Sequence, residues 1–481
     1  MSKFNQKSRG TKTINRAGGS AYKESDKLEF ISLILTSFLN DHFYESSQTQ
    51  LERMKSLVMN LDSKFVAKTA IYARNEFGMR SITHAIMGEL AFKVKGEEWT
   101  KNAFEKIIHR PDDMTEALSY YMNNYGKPIP NSLKKGLSLA ANKFNEYQLA
   151  KYRGEGKEVS MVDLFNIVHP TPVSIRQSVT FKNLINGELR SSETWESMQT
   201  KSGQIAETEE EKADLKNQNW RTLLEGNKLG YMALLRNLRN IITQAPDCIE
   251  LACERLISEE AIKKSLVLPF RFSVAMDQIS DRRVIEALNK AIEISLNNVP
   301  RFDGKTLIAL DDSGSMNGSY GKTADGSSPI SVGSLFASAL YKTNDADILL
   351  FDTDSRFLKI NPSDSLSTIR NEILRNNKGG GTNFHSIFNL LTKSYDRIII
   401  LSDGQGWIGY DTPVADWKKY NLAHDVDSKI FSFNLVGYGD MQFPEKDVYC
   451  LTGFSDKVFD LMKVVEQDKQ ALINKIESVE L

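Results

Sequence analysis

Apolar positions change their spacing once along this chain, and the change divides it. From about Ser25 to Asn298 they recur every three or four residues, as in Leu28, Ile31, Leu35 and Phe38. That is the period of a helix burying one face. Asn40-Asp41 stops this first stretch, and Phe65, Ile71 and Phe77 mark a second. Further helices are expected over residues 114–122, 132–148, 161–168 and 220–242, with short polar breaks between them. A long succession of helices with no clean sequence repeat predicts an α-solenoid whose repeats are structural only.

Beyond Arg301-Phe302-Asp303-Gly304 short apolar runs alternate with helical stretches. Strands are expected at 306–311, 347–352, 397–403 and 429–437. Helices are expected at 331–343, 364–375, 384–393, 413–421 and 456–478. Such alternation predicts a doubly wound α/β domain. The expected organisation is a basic flexible arm over residues 1–24, a helical-repeat domain over 25–302 and the α/β domain over 303–481. The arm carries Lys3, Lys7, Arg9, Lys12 and Arg16, with no acidic residue before Glu24.

Candidate chemistry gathers at the ends of the expected strands. The apolar run Leu307 to Leu310 ends in Asp311, Ser313 and Ser315 at alternate positions. Gly379-Gly380-Gly381 precedes the hydroxyl of Thr382, and a second apolar strand ends at Asp403. Ligands of open α/β sheets sit at the carboxyl edge of the strands. Magnesium takes oxygen ligands in near-octahedral geometry at ~2.1 Å. Three hydroxyls and two carboxylates suit that ion, and suit binding better than hydrolysis. Gly321-Lys322-Thr323 lacks the spacing of a phosphate loop, because Met316 stands where glycine is required. His385 reads as a surface or supporting residue, and no nucleophile–base set is visible.

Charge and cysteine content narrow the class. Lys+Arg 61 against Asp+Glu 62 leaves a net charge of -1, so any basic surface must be local. Cys248, Cys253 and Cys450 form no C-x-x-C pair, which suits a reducing compartment. With neither a spanning apolar run nor a secretory signal, a soluble cytoplasmic protein with no membrane partner is expected. The charged run Glu207 to Lys212 reads as a solvated face. Basic clusters stand out in the helical part: Lys134-Lys135, Lys151 and Arg153, His169 before Pro170, Arg236 with Arg239, and Lys263-Lys264. Together they suit phosphate and stacked bases.

Several stretches carry a family resemblance. They are Asn15-Arg16-Ala17-Gly18-Gly19-Ser20-Ala21-Tyr22, Asp41-His42-Phe43-Tyr44, and Ala150 to Arg153 through Asp163-Leu164-Phe165 to His169-Pro170. Leu229 to Leu238, Lys263 to Phe270 and Thr452-Gly453-Phe454-Ser455 complete the set. The chain resembles the Ro autoantigen family of bacterial or phage type. In that family a TROVE (telomerase, Ro and vault) domain precedes a von Willebrand factor A-like domain with a metal-ion-dependent adhesion site. The resemblance implies a HEAT-like helical-repeat ring followed by the doubly wound domain. It implies a magnesium site of Asp311, Ser313, Ser315, Thr382 and Asp403. It also implies binding, without catalysis, to small Y-like RNAs and to misfolded RNA ends, with an exoribonuclease as partner in RNA quality control. RNA contacts would fall on His169 and, in the same region, on Lys134, Lys135, Lys151 and Arg153; Arg236 and Arg239, three apart on one helix face, are candidates from their spacing alone. Thr171 stands where the family has a basic residue, Asn383 stands where it has an aspartate, and Asp312 adds a carboxylate. The rival expectation is a protein-interaction scaffold whose metal site recruits partner carboxylates.

Overall fold

A computed structural model describes residues 10–37, 44–154, 156–189, 198, 208–265, 267, 270–276, 278–296, 299–317, 328–453, 457–465, 468 and 470–481. The chain forms two compact units. One takes Met1–Met54, Leu268–Val274 and Ile292–Ile476; the other takes Lys55–Val267, Ala275–Ala291 and Glu477–Leu481.

The described start of the chain is ordered structure rather than the flexible arm expected for residues 1–24. β1 (Lys12–Ile14) and β2 (Ser20–Lys23) pair antiparallel around the turn at Asn15 to Gly19. Residues 1–9 lie outside the described residues. Then follows α1 (Asp26–Thr36), capped by the Ser25 hydroxyl and buried along most of its length. The helix α2 (Ser47–Asn60) runs across the boundary between the units.

The helical unit continues with α3 (Ser63–Glu76), α4 (Ser81–Lys93), α5 (Trp99–Ile107), α6 (Pro111–Tyr125), α7 (Asn131–Ala141), α8 (Glu146–Lys151), α9 (Met161–Val168) and α10 (Ile175–Ile185). Asp62 caps α3, and reciprocal capping boxes open α8 (Asn145 with Gln148) and α9 (Ser160 with Asp163). The single helix expected over 132–148 is therefore two, divided where Asn145 satisfies the first amides of the second. Next come α11 (Glu209–Glu225), α12 (Tyr231–Gln244), α13 (Ile249–Leu256) and α14 (Glu259–Ser265). The helix expected over 220–242 breaks between α11 and α12, where Asn227 turns left-handed at φ 52. Thr208 caps α11, and Glu209 to Glu211 form its first turn, where carboxylates favour the helix dipole. After α15 (Phe270–Met276), α16 (Arg282–Ser295) ends the helical series.

One polar node is buried in this unit. Asp113 accepts from Arg74 at 2.8 Å, from Arg80 at 2.7 Å and from the backbone amides of His109 and Arg110 at 3.0 and 2.9 Å. His84 lies 3.3 Å away.

The α/β unit contains β3 (Thr306–Asp311), α17 (Pro329–Thr343), β4 (Ala346–Phe351), β5 (Ser355–Phe357), α18 (Leu366–Arg375), α19 (His385–Leu390) and β6 (Arg397–Ser402). It then adds α20 (Val414–His424), β7 (Lys429–Asn434), β8 (Asp440–Met441), β9 (Tyr449–Thr452), α21 (Lys457–Val465) and α22 (Ala471–Glu477). The six-stranded sheet has the order β5-β4-β3-β6-β7-β9, parallel except for the edge strand β5. β3 and β6 are neighbours although β4 and β5 intervene in sequence. That reversal makes the β3/β6 carboxyl edge the switch point of the sheet. The two central strands are apolar and fully buried, as expected for strands covered on both faces. β8 leaves this sheet and pairs with β2, so residues of the expected arm complete a second, three-stranded sheet. The helix expected over 456–478 is two helices. Most of the loop expected at 317–329, including Gly321 to Thr323, and Phe454-Ser455 lie outside the described residues.

Candidate functional site

Asp311 and Asp403 stand at the ends of the neighbouring strands β3 and β6, both without solvent exposure. Three loops meet there, and backbone hydrogen bonds join them. The Gly314 amide donates to the Gly380 carbonyl at 2.9 Å, and the Gly379 amide donates to the Asp312 carbonyl at 3.0 Å. The Trp407 and Ile408 amides both donate to the Thr382 carbonyl, at 3.1 and 3.2 Å. Glycine is required at two points in the central loop. Gly379 has φ +71, and a Cβ on Gly381 would lie 2.8 Å from the Trp407 ring. The structure thus brings together all five residues expected to bind metal.

The donors are oriented from within. The Ser313 amide donates to Asp311 Oδ1 at 2.9 Å, and the Ser402 hydroxyl donates to Asp311 Oδ2 at 2.5 Å. Ser313 and Ser315 hydroxyls lie 3.3 Å apart. Burial raises the Asp311 carboxyl well above the usual range, and the charge of Asp403 adds to it. Burial also raises Asp403, opposed by the nearby Ser315 hydroxyl and by the hydrogen bond from the Gln405 amide. Asp403 Oδ2 is buried with no hydrogen-bond partner among the described residues. Two desolvated carboxylates, one with an unpaired oxygen, beside three hydroxyls, fit a hard dication. Asp312 plays a different part. It points into an ion pair with Arg356 and accepts the Lys378 amide at 2.9 Å. Asn383 turns its amide to the Thr353 carbonyl at 3.0 Å.

Sequence reasoning missed the residues that brace this site from far along the chain. Asn15 Nδ2 donates to the Gly406 carbonyl at 2.5 Å, and the Arg16 amide donates to Gln405 Oε1 at 2.9 Å. The Tyr44 amide donates to the Tyr438 hydroxyl at 3.3 Å, and the two rings meet edge to face. The stretches 15–22 and 41–44 were marked only by family resemblance, because nothing in their composition announces a role beside a metal. Asp41 to Phe43 lie outside the described residues. His385 is held by Asp416 at 2.5 Å and by the Asp411 carbonyl at 2.8 Å, which suits a supporting residue.

The cationic residues of the helical unit fall into two groups. Lys134 and Lys135 lie on α7, whose next turn carries Ser138. The Ser138 hydroxyl accepts the Thr171 amide at 3.2 Å, and Asn142 donates to the Thr171 carbonyl at 2.9 Å. His169 is two residues earlier, exposed, in the left-handed position (φ 48) that ends α9. One turn of α7 therefore links the two lysines to the histidine loop. Exposed Lys151 ends α8, which packs on α10, and α10 packs on α9. Arg153 is half-buried and donates to the Leu189 carbonyl, so part of its hydrogen-bonding capacity is structural. Arg236 and Arg239 are exposed on α12, which packs on α11, α13 and α14, and the structure does not bring them into the first group. Lys263 is paired with Glu259 at 2.6 Å. Among the described residues no helix is long and apolar enough to cross a membrane.

Comparison with known proteins adds three findings. The family model described as the TROVE domain matches residues 35–219 and 188–306. Telomerase protein component 1 of Rattus norvegicus is 21% identical over 321 residues, which is 51% of this chain and 12% of the rat protein. The same component of Mus musculus is 22% identical over 300 residues, 47% of this chain and 11% of the mouse protein. The chain thus spans only a small part of the length of these curated relatives. The crystal structure of the Deinococcus radiodurans Ro (RSR) protein superposes with a TM-score of 0.58 at 18% identity, covering 90% of this chain and 99% of that one. That likeness shows a shared fold: a helical-repeat part with a von Willebrand factor A-like part.

Proposed function

The chain belongs to the TROVE-domain family, an RNA-binding family, and we propose that it binds non-coding RNA through the α7–α9 face of its helical unit. The observation that carries this reading is the tie between the His169 loop and α7. It joins the loop that carries exposed His169 to the turn of α7 that follows Lys134 and Lys135. Lysines there meet phosphates, and the imidazole stacks on or hydrogen-bonds to a base. The substrates that suit such a face are small structured RNAs and misfolded RNAs with a single-stranded end. The protein acts by holding RNA rather than by cleaving it, and hands the end to an exoribonuclease in the cytoplasm. With a near-neutral chain, affinity rests on this local group of cations.

The test is a titration with a hairpin RNA bearing a single-stranded 3′ end, at several salt concentrations. His169→Ser is expected to weaken binding with little change in salt slope. Lys134→Ala with Lys135→Ala is expected to flatten the slope of log affinity against log salt by roughly 1.4 units. Arg236→Ala with Arg239→Ala is expected to change less. Unchanged affinity and slope in the first two variants would remove this face from the RNA reading.

The buried Asp311–Asp403 pair favours a second, concurrent reading: a magnesium site of the adhesion type. Ser313, Ser315 and Thr382 would supply hydroxyls, and the two aspartates would bind the ion or its water. The ion, when bound, supplies a positive centre that takes up a carboxylate from a protein partner. Ser402 and the Ser313 amide keep Asp311 turned toward the site.

A further inference from the structure

We propose that Trp407, Tyr410 and Ile14 form an apolar docking platform beside the metal site, for a protein partner that offers a carboxylate flanked by apolar side chains. This rests on the magnesium reading above.

The loop after β6 leaves Asp403 and passes along the rim of the site. The Trp407 and Ile408 amides hold it on the Thr382 carbonyl, at 3.1 and 3.2 Å. The Trp407 ring lies over Gly381, the residue before Thr382, so closely that a Cβ there would stand 2.8 Å from it. Even so, Trp407 is 49% exposed, and Tyr410 is fully exposed. Ile14 on β1 is 73% exposed. It lies between two residues bonded to the same loop. Lys12 pairs with Asp411 at 2.9 Å, and Asn15 Nδ2 donates to the Gly406 carbonyl at 2.5 Å. Lys12 and Ile14 share one face of β1, because strand side chains alternate.

Single exposed apolar residues mean little. These three stand on a loop that is braced at both ends. Gly409 has φ +119, a conformation for glycine, and a Cβ there would run into the His385 ring. That ring is fixed by Asp416 at 2.5 Å and by the Asp411 carbonyl at 2.8 Å. At the other end the Arg16 amide donates to Gln405 Oε1 at 2.9 Å. The two aromatic side chains therefore rise from an ordered backbone, which lowers the entropy lost on docking. Trp and Tyr on such surfaces are the usual anchors of protein partners.

The metal site sets what the partner carries. The ion takes a carboxylate, and the platform starts at the residue that packs on Gly381. The groups that meet Trp407 and Tyr410 are thus the neighbours of that carboxylate in the partner's own sequence. Charge favours protein over RNA here. Asp411 and Asp416 flank the platform, and Lys12 is engaged by Asp411, which does not suit a phosphate backbone.

The experiment uses the full chain saturated with Mn2+ and three probes: acetate and the capped tripeptides Leu-Asp-Leu and Ser-Asp-Ser. Mn2+ loading is followed by calorimetry. Probe binding is followed by the loss of water-proton relaxation enhancement as a carboxylate displaces Mn2+-bound water. Wild type should bind Leu-Asp-Leu about fivefold more tightly than Ser-Asp-Ser. Trp407→Ala, Tyr410→Ala and Ile14→Ala should each bring that ratio toward one. If Trp407→Ala does not fold, Tyr410→Ala decides, since its side chain is fully exposed. Acetate binding with equal affinity for the two peptides in wild type, or a ratio unchanged in every folded variant, overturns the platform and leaves the metal reading standing. Mn2+-dependent self-association that Tyr410→Ala abolishes would give the surface to a second copy and overturn the partner named here. Loss of hairpin-RNA binding in Tyr410→Ala would overturn it in favour of RNA. No Mn2+ binding by the wild type overturns both the platform and the metal reading.

Discussion

Buried carboxylates are treated in opposite ways in the two units. Asp113, in the helical unit, has Arg74, Arg80 and His84 around it and two backbone amides donating to it. Burial alone would raise its carboxyl. The close approach of His84 and the charges of Arg74 and Arg80 overcome that and hold it well below the usual range. Asp311 and Asp403, in the α/β unit, face each other and three hydroxyls, and both are raised. The first arrangement carries its own counter-charges and belongs to the scaffold. The second is short of positive charge, which is what the proposed magnesium reading requires.

The comparison breaks most sharply if Asp113 is neutralised. Asp113→Asn leaves Arg74 and Arg80 short of their shared carboxylate, and about 3–5 kcal/mol of stability should be lost in denaturant unfolding. Asp311→Asn should cost the metal-free protein little, since it relieves a repulsion. Equal losses would mean that both carboxylates are structural.

Cation loading comes next in size. A hundredfold excess of Mg2+ over its dissociation constant should stabilise the wild-type α/β unit by about 2.7 kcal/mol, and chelator should remove the gain. Asp311→Ala or Ser313→Ala should abolish the increment. A melting temperature indifferent to Mg2+ in the wild type would count against the site.

Acid and base should separate the units further. Asp113 binds its proton more weakly folded than unfolded. Its contribution is therefore complete above its ordinary value of 3.8 and is lost as pH falls below it. Glu24, in the α/β unit, has the opposite sign. Burial pushes its carboxyl from 4.5 up to about 8, against the hydrogen bond from Asn434. Folded protein holds that proton more tightly, so stability falls as pH rises from 4.5 toward 8, by up to about 1.4 kcal/mol per pH unit. Glu24→Gln should flatten this window; an unaltered pH profile would show that Glu24 stays ionised. The smallest effect belongs to the exposed Lys12–Asp411 pair at 2.9 Å. Lys12→Ala should change stability by less than about 1 kcal/mol, and a larger loss would show that β1 anchors more than it touches.

The candidate donors were legible because Asp311, Ser313, Ser315 and Asp403 follow apolar strand runs and Thr382 follows a run of glycines. Asp311, Ser313, Ser315, Thr382 and Asp403 needed only local spacing and the rule for parallel sheets. Tyr44, Asn15 and Arg16 were not legible as chemistry. Their partners lie hundreds of residues away, and no periodicity encodes such a pairing. The short strands β5, β8 and β9 were missed because two to four residues carry too little pattern. The helices over 132–148 and 220–242 were read as continuous because apolar spacing survived across breaks that Asn145 and Asn227 impose. The cationic residues were legible as a list but not as a face. Only the hydrogen bonds of Ser138 and Asn142 to the Thr171 backbone separate Lys134, Lys135 and His169 from Arg236 and Arg239.

The pairing of β2 with β8 also bears on how the chain is born. Ser25 and its partner Glu445 are 420 residues apart. At roughly 5–20 residues per second, the ribosome takes on the order of 20–80 s to deliver the second after the first. Through that interval β2 has no β8 to pair with, and the Asn15–Gly19 turn has no Gly406 to seat on. The helical repeats, rich in near-neighbour contacts, can fold while they wait. The β1–β2 segment is therefore made before its partners and finished only after them. Its basic, acid-free composition before Glu24 gives it like-charge repulsion rather than cohesion during that wait.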